Sequence, residues 1–560
     1  MNDSKEKLII NEYESEFTFK KNISNLSISF NRSAFIFFFF TLISLLFSVK
    51  IFYYGSILDG NNLKQDIKKK DFRADLLDRE GNFIAKSVQT INIGINPNKV
   101  RDKKKFLLKL KLVFPEKNFT SIEKKLNKNK FFYLEKKVSN ENYDKIKLLG
   151  EKAIEYESKI SRIYTHSNLY SHIVGQVDED SIGISGLEKS LNEKLITQKN
   201  PISLTVDTNI QFLIREELIQ ANKIFKTEGS AAILMDVNNG EIISMVSTPD
   251  YDLNKRSKLN DKKFINRITK GIYEFGSVFK TFTLASGLSY KKIKIDTEFK
   301  ELPKSISCAG RPIREYDLNI PSTLNAEEIL IRSGNIGSVR IAQKVGIDKF
   351  KLFLRKIGIL DRIEFELEEI GTPLPIRWGK CKLATASFGH GITTTILQLA
   401  KSYSIISNGG YEINPTLIKK NNLNIKKKKL INKKISKEIN SALRKIVTTK
   451  IGTANLADVP GYEVGGKTGT AQKSINGIYS KQKINTFVGV FPISNPKYVI
   501  IVMLDEPKIN ENYIYEYRDG TGFKLKGTPR NTAGWTSVEI TGKILEKIGP
   551  ILATKYMEFD

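Results

Sequence analysis

Ser277-Val278-Phe279-Lys280 sets a hydroxyl and an amine three residues apart, opening an apolar helical pattern that runs on through Phe282, Leu284 and Ala285. On a helix that spacing shares a face, so the amine can reach the hydroxyl proton, while the helix N-terminus favours negative charge near the serine. This is the pairing an acyl-transfer nucleophile needs. The spacing alone says little, because it recurs at Ser4, Ser121, Ser289, Ser480 and Ser494, where a surface serine and lysine suffice. Its company changes its weight. Ser333-Gly334-Asn335 can turn a hydroxyl to a proton network and an amide to a substrate. Gly465-Gly466-Lys467-Thr468-Gly469-Thr470 reads as a strand along which a peptide backbone can lie, with Lys467, Thr468 and Thr470 as a cationic, hydroxyl-lined seat for a carboxylate. Separately, each of the last two is no more than a turn or a bulged strand; in this order they form a set.

Secondary structure must bring the three together. Residues 230–237 and 241–246 flank Asn238-Asn239-Gly240, and 486–493 and 498–504 flank a second turn, so each pair reads as an antiparallel hairpin. Between them lie helical patterns such as 436–447, where Ser436 can cap and Ile439, Ala442, Leu443, Ile446 and Val447 share one face. Strands at both ends with helices between predict an α+β fold, one antiparallel sheet flanked by helices and edged by distant parts of the chain. That domain is expected over 201–560. Upstream, a turn at 80–82 starts a hairpin-like unit, and 100–160 reads as charged and helical, with Phe106, Leu107, Leu110, Leu112 and Val113 at helical intervals. Residues 55–200 are therefore expected to form a separate, elongated module with a modest core.

The 560 residues carry a formal charge of +29, but the lysines are spread along the whole chain, which fits a biased residue usage better than a dedicated polyanion site. The run 426–429 lacks interleaved aromatics and reads as a solvated loop, so no nucleic-acid partner is expected. Two cysteines, Cys308 and Cys381, can build neither a disulfide framework nor a thiolate zinc site, and a single bridge between them stays open. His166, His172 and His390 show no metal-ligand spacing, and nothing in the sequence sets them near a nucleophile motif. Residues 34–54 hold one charge, Lys50, and form a helix of about 30 Å, the thickness of a hydrocarbon core. A single transmembrane helix is expected there, with 1–33 as a cytoplasmic tail. Lysines flank both ends, so sidedness must come from the chemistry of the large domain.

The three motifs resemble the S-x-x-K, S-x-N and K-T-G elements of the penicillin-binding proteins. The likeness extends to 73–81, His172-Ile173-Val174-Gly175 and 183–188, which look like the non-catalytic pedestal, or dimerisation-type module, of class B members. It extends also to Asn266-Arg267, Ser387-Phe388-Gly389-His390-Gly391, Leu397-Gln398-Leu399-Ala400 and 486–507. Within class B the chain is most similar to the cell-division (FtsI-type) transpeptidases, with the elongation type next. Phe275 and Gly334 depart from the residues common at those positions, Pro or Leu and Ser.

The resemblance implies a peptidoglycan D,D-transpeptidase of the serine β-lactamase-like fold. Ser277 is the nucleophile, Lys280 its base, and Ser333 and Lys467 the proton relay and second cation. The backbone N–H groups of Ser277 and Thr470 form the oxyanion hole, and Asn335, Thr468, Gly469 and Thr470 hold the donor peptide. It further implies D-Ala-D-Ala stem peptides as substrate, β-lactams as covalent ligands, and a membrane-embedded glycosyltransferase and other division proteins as partners. The catalytic domain then lies on the periplasmic side of the bacterial inner membrane, at the septum. No cofactor or metal is required. Two alternatives stay open: a D,D-carboxypeptidase or β-lactamase-like hydrolase using the acidic cluster Glu364, Glu366, Glu368 and Glu369, and a β-lactam receptor or division scaffold.

Overall fold

The computed structural model describes residues 25–57, 72–198, 200–255, 261–419, 428–475, 478–518 and 520–556; residues 1–24 of the expected cytoplasmic tail and 426–427 of the lysine run lie outside the described residues. Helix α1 (Asn25–Ile57) contains the stretch Ala34–Tyr53, whose mean hydropathy of 2.4 makes it long and apolar enough to cross a membrane. Phe35, Phe37, Phe38, Phe40, Phe47 and Phe52 are all exposed, so the helix is apolar on every face, as lipid requires.

Residues 72–560 form a second compact unit. Strands β1 (Leu76–Leu77) and β2 (Phe83–Ile95) pair antiparallel. Between them Asp78 Oδ1 accepts the N–H groups of Glu80 and Asn82 (2.9 and 2.8 Å), and Gly81 takes the φ of +90° that the turn demands. Helix α2 (Lys103–Val113), capped by Asp102, meets the helical expectation there. Helices at Phe119–Asn127 and Asn140–Lys147 meet it too, but it fails at β3 (Phe132–Val138) and β4 (Ile154–Tyr164), which are strands paired with β2. Ladder pairing with a long neighbour overrides their charged composition. Ile93, Ile95, Phe106, Leu110, Phe114 and Leu126 form a small core of their own. Nearer the large domain, Glu188 is clasped by Arg73 (2.9 Å) and Arg162 (2.7 Å), all three buried, which pins 183–188 onto the sheet. Removing one partner of such a cluster strands a buried charge.

Strand β5 (Ile202–Ser203) pairs parallel with β1, and Asn266 Nδ2 donates to the His172 carbonyl (3.0 Å), so the two parts share backbone as well as side-chain bonds. Beyond β5 come α3 (Thr208–Phe225), β6 (Gly229–Asp236) and β7 (Ile242–Thr248). The central helices are α4 (Phe279–Ser289), α5 (Ala326–Ile331), α6 (Asn335–Val345), α7 (Lys380–Ala386), α8 (Ile396–Ser407) and α9 (Lys433–Thr448). A short antiparallel pair, β8 (Ser305–Cys308) and β9 (Arg311–Arg314), projects between α4 and α5. The chain closes with β10 (Gly465–Ile475), β11 (Ile478–Phe491), β12 (Tyr498–Asp505) and α10 (Ser537–Tyr556).

The five-stranded sheet runs β10-β11-β12-β6-β7, antiparallel throughout, so its edges do come from distant segments. Helices α3 and α10 pack together on it, as do α8 and α9, and every residue of β6, β7 and β12 is buried. Only a sheet covered on both faces buries both side-chain rows. Helix α9 buries the expected face but begins earlier than the sequence suggests. Asn432 caps it by accepting the Lys434 N–H (2.9 Å), while Ser436 accepts the Gly409 N–H (3.1 Å) and donates to the Ser407 carbonyl (3.1 Å).

Candidate active site

Ser277 sits in a short 3-10 turn, Gly276–Val278, that leads directly into α4 and lies against edge strand β10. Glycines make that approach possible. A Cβ on Gly276 would stand 2.8 Å from the Thr470 carbonyl oxygen, one on Gly469 2.2 Å from the Phe275 carbonyl oxygen, and one on Gly389 2.0 Å from the Gly276 carbonyl oxygen. Contacts that close need backbone without side chain. Three glycines from three separated motifs therefore converge on the Ser277 turn, and Thr470 falls beside it.

Lys280, in the first turn of α4, is buried, and its Nζ donates to both the carbonyl oxygen and, over 3.2 Å, the Oγ of Ser333. Lys467 Nζ reaches the same hydroxyl from β10 over 3.0 Å and also donates to the Thr468 carbonyl (3.1 Å). Ser333 Oγ is thus shared by two buried amines. Burial pushes the Lys280 amine down to about 7, against a smaller opposing pull from Glu315. Burial also pushes Lys467 well below the ordinary lysine range, and the Lys280 charge adds to that. One amine can then be neutral near pH 7, free to accept a proton.

Ser333 holds its place by an uncommon backbone. Helix α5 ends in a Schellman pattern, with Ser333 N–H on the Leu330 carbonyl (3.2 Å) and Gly334 N–H on the Ile329 carbonyl (2.9 Å). The left-handed position belongs to Ser333 (φ +59°), where glycine is the usual occupant and another residue costs about 1 kcal/mol. The hydroxyl is kept despite that cost. Asn335 opens α6, its Nδ2 donating to the Arg314 carbonyl (2.7 Å). Thr468 Oγ1 shares a hydrogen bond with Thr453 Oγ1 (2.7 Å), and Thr470 Oγ1 accepts the Ala533 N–H (2.9 Å).

The structure brings Lys280, Ser333 and Lys467 into contact and sets the Ser277 turn against Gly469 and Thr470. Among the described residues, neither amine is hydrogen-bonded to Ser277 Oγ. Lys467 does not line an open carboxylate seat; it is wholly buried and turned to Ser333. His390, which the sequence sets near no nucleophile, is on the loop whose Gly389 abuts Gly276; it stacks on Tyr479 (4.2 Å), and Tyr479 donates to Glu274 (3.1 Å). Three residues of the acidic cluster are engaged elsewhere. Glu366 accepts from Thr416 and the Leu417 N–H, Glu368 pairs with Lys189 (2.9 Å), and Glu369 accepts the Gly186 N–H (3.2 Å). Sequence reading missed Glu315; the bridge it left open between Cys308 and Cys381 is formed and ties β8 to α7.

Comparison with known proteins now has a geometry to meet. Residues 230–520 match the family described as penicillin binding protein transpeptidase domain, and 69–224 match the penicillin-binding protein dimerisation domain. The chain belongs to the class B penicillin-binding proteins. A probable peptidoglycan D,D-transpeptidase FtsI of Caulobacter vibrioides is 29% identical over 498 residues, 86% of this penicillin-binding protein and 82% of the relative. The peptidoglycan D,D-transpeptidase FtsI of Buchnera aphidicola is 29% identical over 519 residues, covering 84% and 88%. The fold of this penicillin-binding protein also matches a crystal structure of penicillin binding protein 3 from Mycobacterium tuberculosis complexed with aztreonam. That match has a TM-score of 0.66 at 21% identity and covers 88% of this chain and 98% of the other.

Proposed function

We propose that this protein is a membrane-anchored peptidoglycan D,D-transpeptidase that cross-links stem peptides through an acyl-Ser277 intermediate. The observation that carries the reading is the pair of buried amines sharing Ser333 Oγ beside the glycine-walled Ser277 turn. Neutral Lys280 takes the Ser277 hydroxyl proton as Oγ bonds to the carbonyl carbon of the penultimate D-Ala. The oxyanion is met by the backbone N–H groups of Ser277 and Thr470. As the C–N bond breaks, Ser333 passes a proton to the departing D-Ala nitrogen and is resupplied from the lysines. An amine of a neighbouring stem peptide then attacks the ester and gives its proton to the lysine network, and Ser277 leaves with a proton. The acceptor's new amide bond replaces the one broken, so the exchange balances without an external energy source. Asn335 and the Thr468–Thr470 strand hold the donor peptide.

The same chemistry makes the protein a covalent target of β-lactams, whose strained amide presents the same carbonyl. Glu366, Glu368 and Glu369 of the acidic cluster are engaged away from Ser277, which favours transfer over hydrolysis. A substrate outside the cytoplasmic membrane and the disulfide between Cys308 and Cys381, which suits an oxidising compartment, both support a large domain on the periplasmic side. The septal role and a polytopic glycosyltransferase partner rest on the likeness to cell-division transpeptidases.

The test is covalent labelling of the detergent-solubilised chain by a fluorescent penicillin, with Ser277→Ala and Ser289→Ala alongside. A stable adduct lost only in Ser277→Ala is expected. Equal labelling of Ser277→Ala, or none of the folded wild type, ends the proposal.

A further inference from the structure

Helix α6 begins with Gly334 at its cap position, a residue with no side chain to accept the orphan N–H groups of the first turn. The acceptor comes from far upstream. Glu315, which follows β9, is buried, and its two carboxylate oxygens take the Asn335 N–H (2.6 Å) and the Ile336 N–H (2.8 Å). The preceding residue, Arg314, accepts from Asn335 Nδ2 through its carbonyl (2.7 Å). One dipeptide therefore grips both the backbone and the side chain of the residue two positions after Ser333. Glu315 is itself held, its N–H on the Lys304 carbonyl (2.9 Å) and its strand pair bolted to α7 by the disulfide between Cys308 and Cys381.

The cap is also a charge. Two amines share Ser333 Oγ out of contact with solvent, and a buried cation without a counter-charge is costly. On the elements packed around them, Lys445 pairs with Glu327 (2.8 Å), Arg444 with Asp458 (2.8 Å) and Lys473 with Asp505 (2.9 Å), Glu328 closes the capping box of α5, and Arg340 and Lys344 of α6 are further positive groups. Arg332 adjoins Ser333 and adds a further positive group. Glu315 is the carboxylate whose charge acts on Lys280, opposing the loss of its proton.

We propose that Glu315 is a positioning residue for acylation: its carboxylate caps α6, thereby fixing Ser333 and Asn335, and lends the Lys280 amine a negative charge. This rests on the acyl-Ser277 reading above. Both oxygens are occupied by backbone donors, so Glu315 is not arranged to activate a water.

The experiment measures the second-order labelling rate by fluorescent penicillin from pH 5.5 to 9 on the full chain in detergent. The variants are wild type, Glu315→Gln, Glu315→Asp and Ser277→Ala. Neutral Lys280 is the reactive form, so the wild-type rate climbs through about pH 7. Losing the carboxylate's charge makes Lys280 give up its proton at lower pH, moving that limb down. Misplacing Ser333 lowers the plateau, by about tenfold or more. Glu315→Gln is expected to show both changes. Glu315→Asp keeps the charge but draws it back from α6, so it loses rate several-fold with the limb unmoved. The proposal is overturned if Glu315→Gln superimposes on wild type or is lowered uniformly with its limb in place. If Glu315→Gln does not fold, a Glu315→Asp rate equal to wild type overturns it. Labelling of Ser277→Ala, by contrast, defeats the acyl-serine reading whatever Glu315 does.

Discussion

Lys467 Nζ donates to Ser333 Oγ over 3.0 Å across a sequence separation of 134 residues, and Lys280 meets the same oxygen from the other side. A hydroxyl that bridges two amines justifies the left-handed backbone beneath it. Ser333→Gly separates the two contributions. Glycine relieves about 1 kcal/mol of backbone strain, while the lost hydrogen bonds cost about 0.5–1.5 kcal/mol. Thermal melting should therefore change little. Labelling by a fluorescent penicillin should fall by about 100-fold, the scale on which general acid–base groups act. A large loss of stability with intact labelling contradicts the relay.

The amine pair makes a second prediction, for stability against pH. Lys280 binds its proton near 7 when folded and near the ordinary lysine value when unfolded. Between those values the unfolded chain holds the extra proton, so stability should rise with pH from about 7 towards 10. At and below pH 7 the buried charge costs on the order of a few kcal/mol. Lys280→Met should accordingly raise the melting temperature at pH 6 while abolishing labelling, and the gain should shrink at pH 9.5. A gain that is the same at both pH values removes Lys280 titration as its cause.

Sequence reading reached the site because its parts are local patterns: Ser277 with Lys280, Ser333 with Asn335, and the glycines around Lys467. Both hairpins were legible for the same reason, since strand, turn and strand are contiguous. What escaped is non-local. Glu315 acts on N–H groups 20 and 21 residues further on, and no side-chain pattern marks it. The bridge between Cys308 and Cys381, left open by the sequence, closes across 73 residues and is undecidable from spacing for the same reason. The cap of α9 was misplaced because Ser436, a good cap by type, spends its hydroxyl on Ser407 and Gly409. Strand β3 was hidden by its lysines, which an edge of the pedestal sheet tolerates and a helical surface would show equally well.

The disulfide gives a third prediction. It closes a loop of 73 residues, for which chain entropy suggests about 4 kcal/mol. Cys308→Ser with Cys381→Ser, or reductant added to the wild type, should lower the melting temperature. Labelling should slow as well, because β8 and β9 present Glu315 to the start of α6. Reductant should leave the double variant unaffected. If the double variant melts and labels as wild type, the bridge supports neither the fold nor the site.

The glycine contacts give the last. Gly469 lies with its Cβ position 2.2 Å from the Phe275 carbonyl oxygen, and both partners are backbone, so neither can turn aside. Gly469→Ala must push β10 and the Ser277 turn apart. Nothing lies within 4 Å of the Cβ position of Gly379, and Gly379→Ala is the matching control. A shift of about 1 Å between nucleophile and oxyanion donors costs about 100-fold in rate. Gly469→Ala should therefore lose about that much labelling, while Gly379→Ala keeps it and circular dichroism shows both variants folded. In the proposed mechanism the backbone N–H of Thr470 is the oxyanion donor, and that shift carries it away from Ser277. Loss of the covalent adduct should thus exceed any loss of reversible binding by a non-acylating D-Ala-D-Ala peptide, read by calorimetry. Equal losses in the two assays would make the strand a binding surface alone and remove Thr470 from the oxyanion hole.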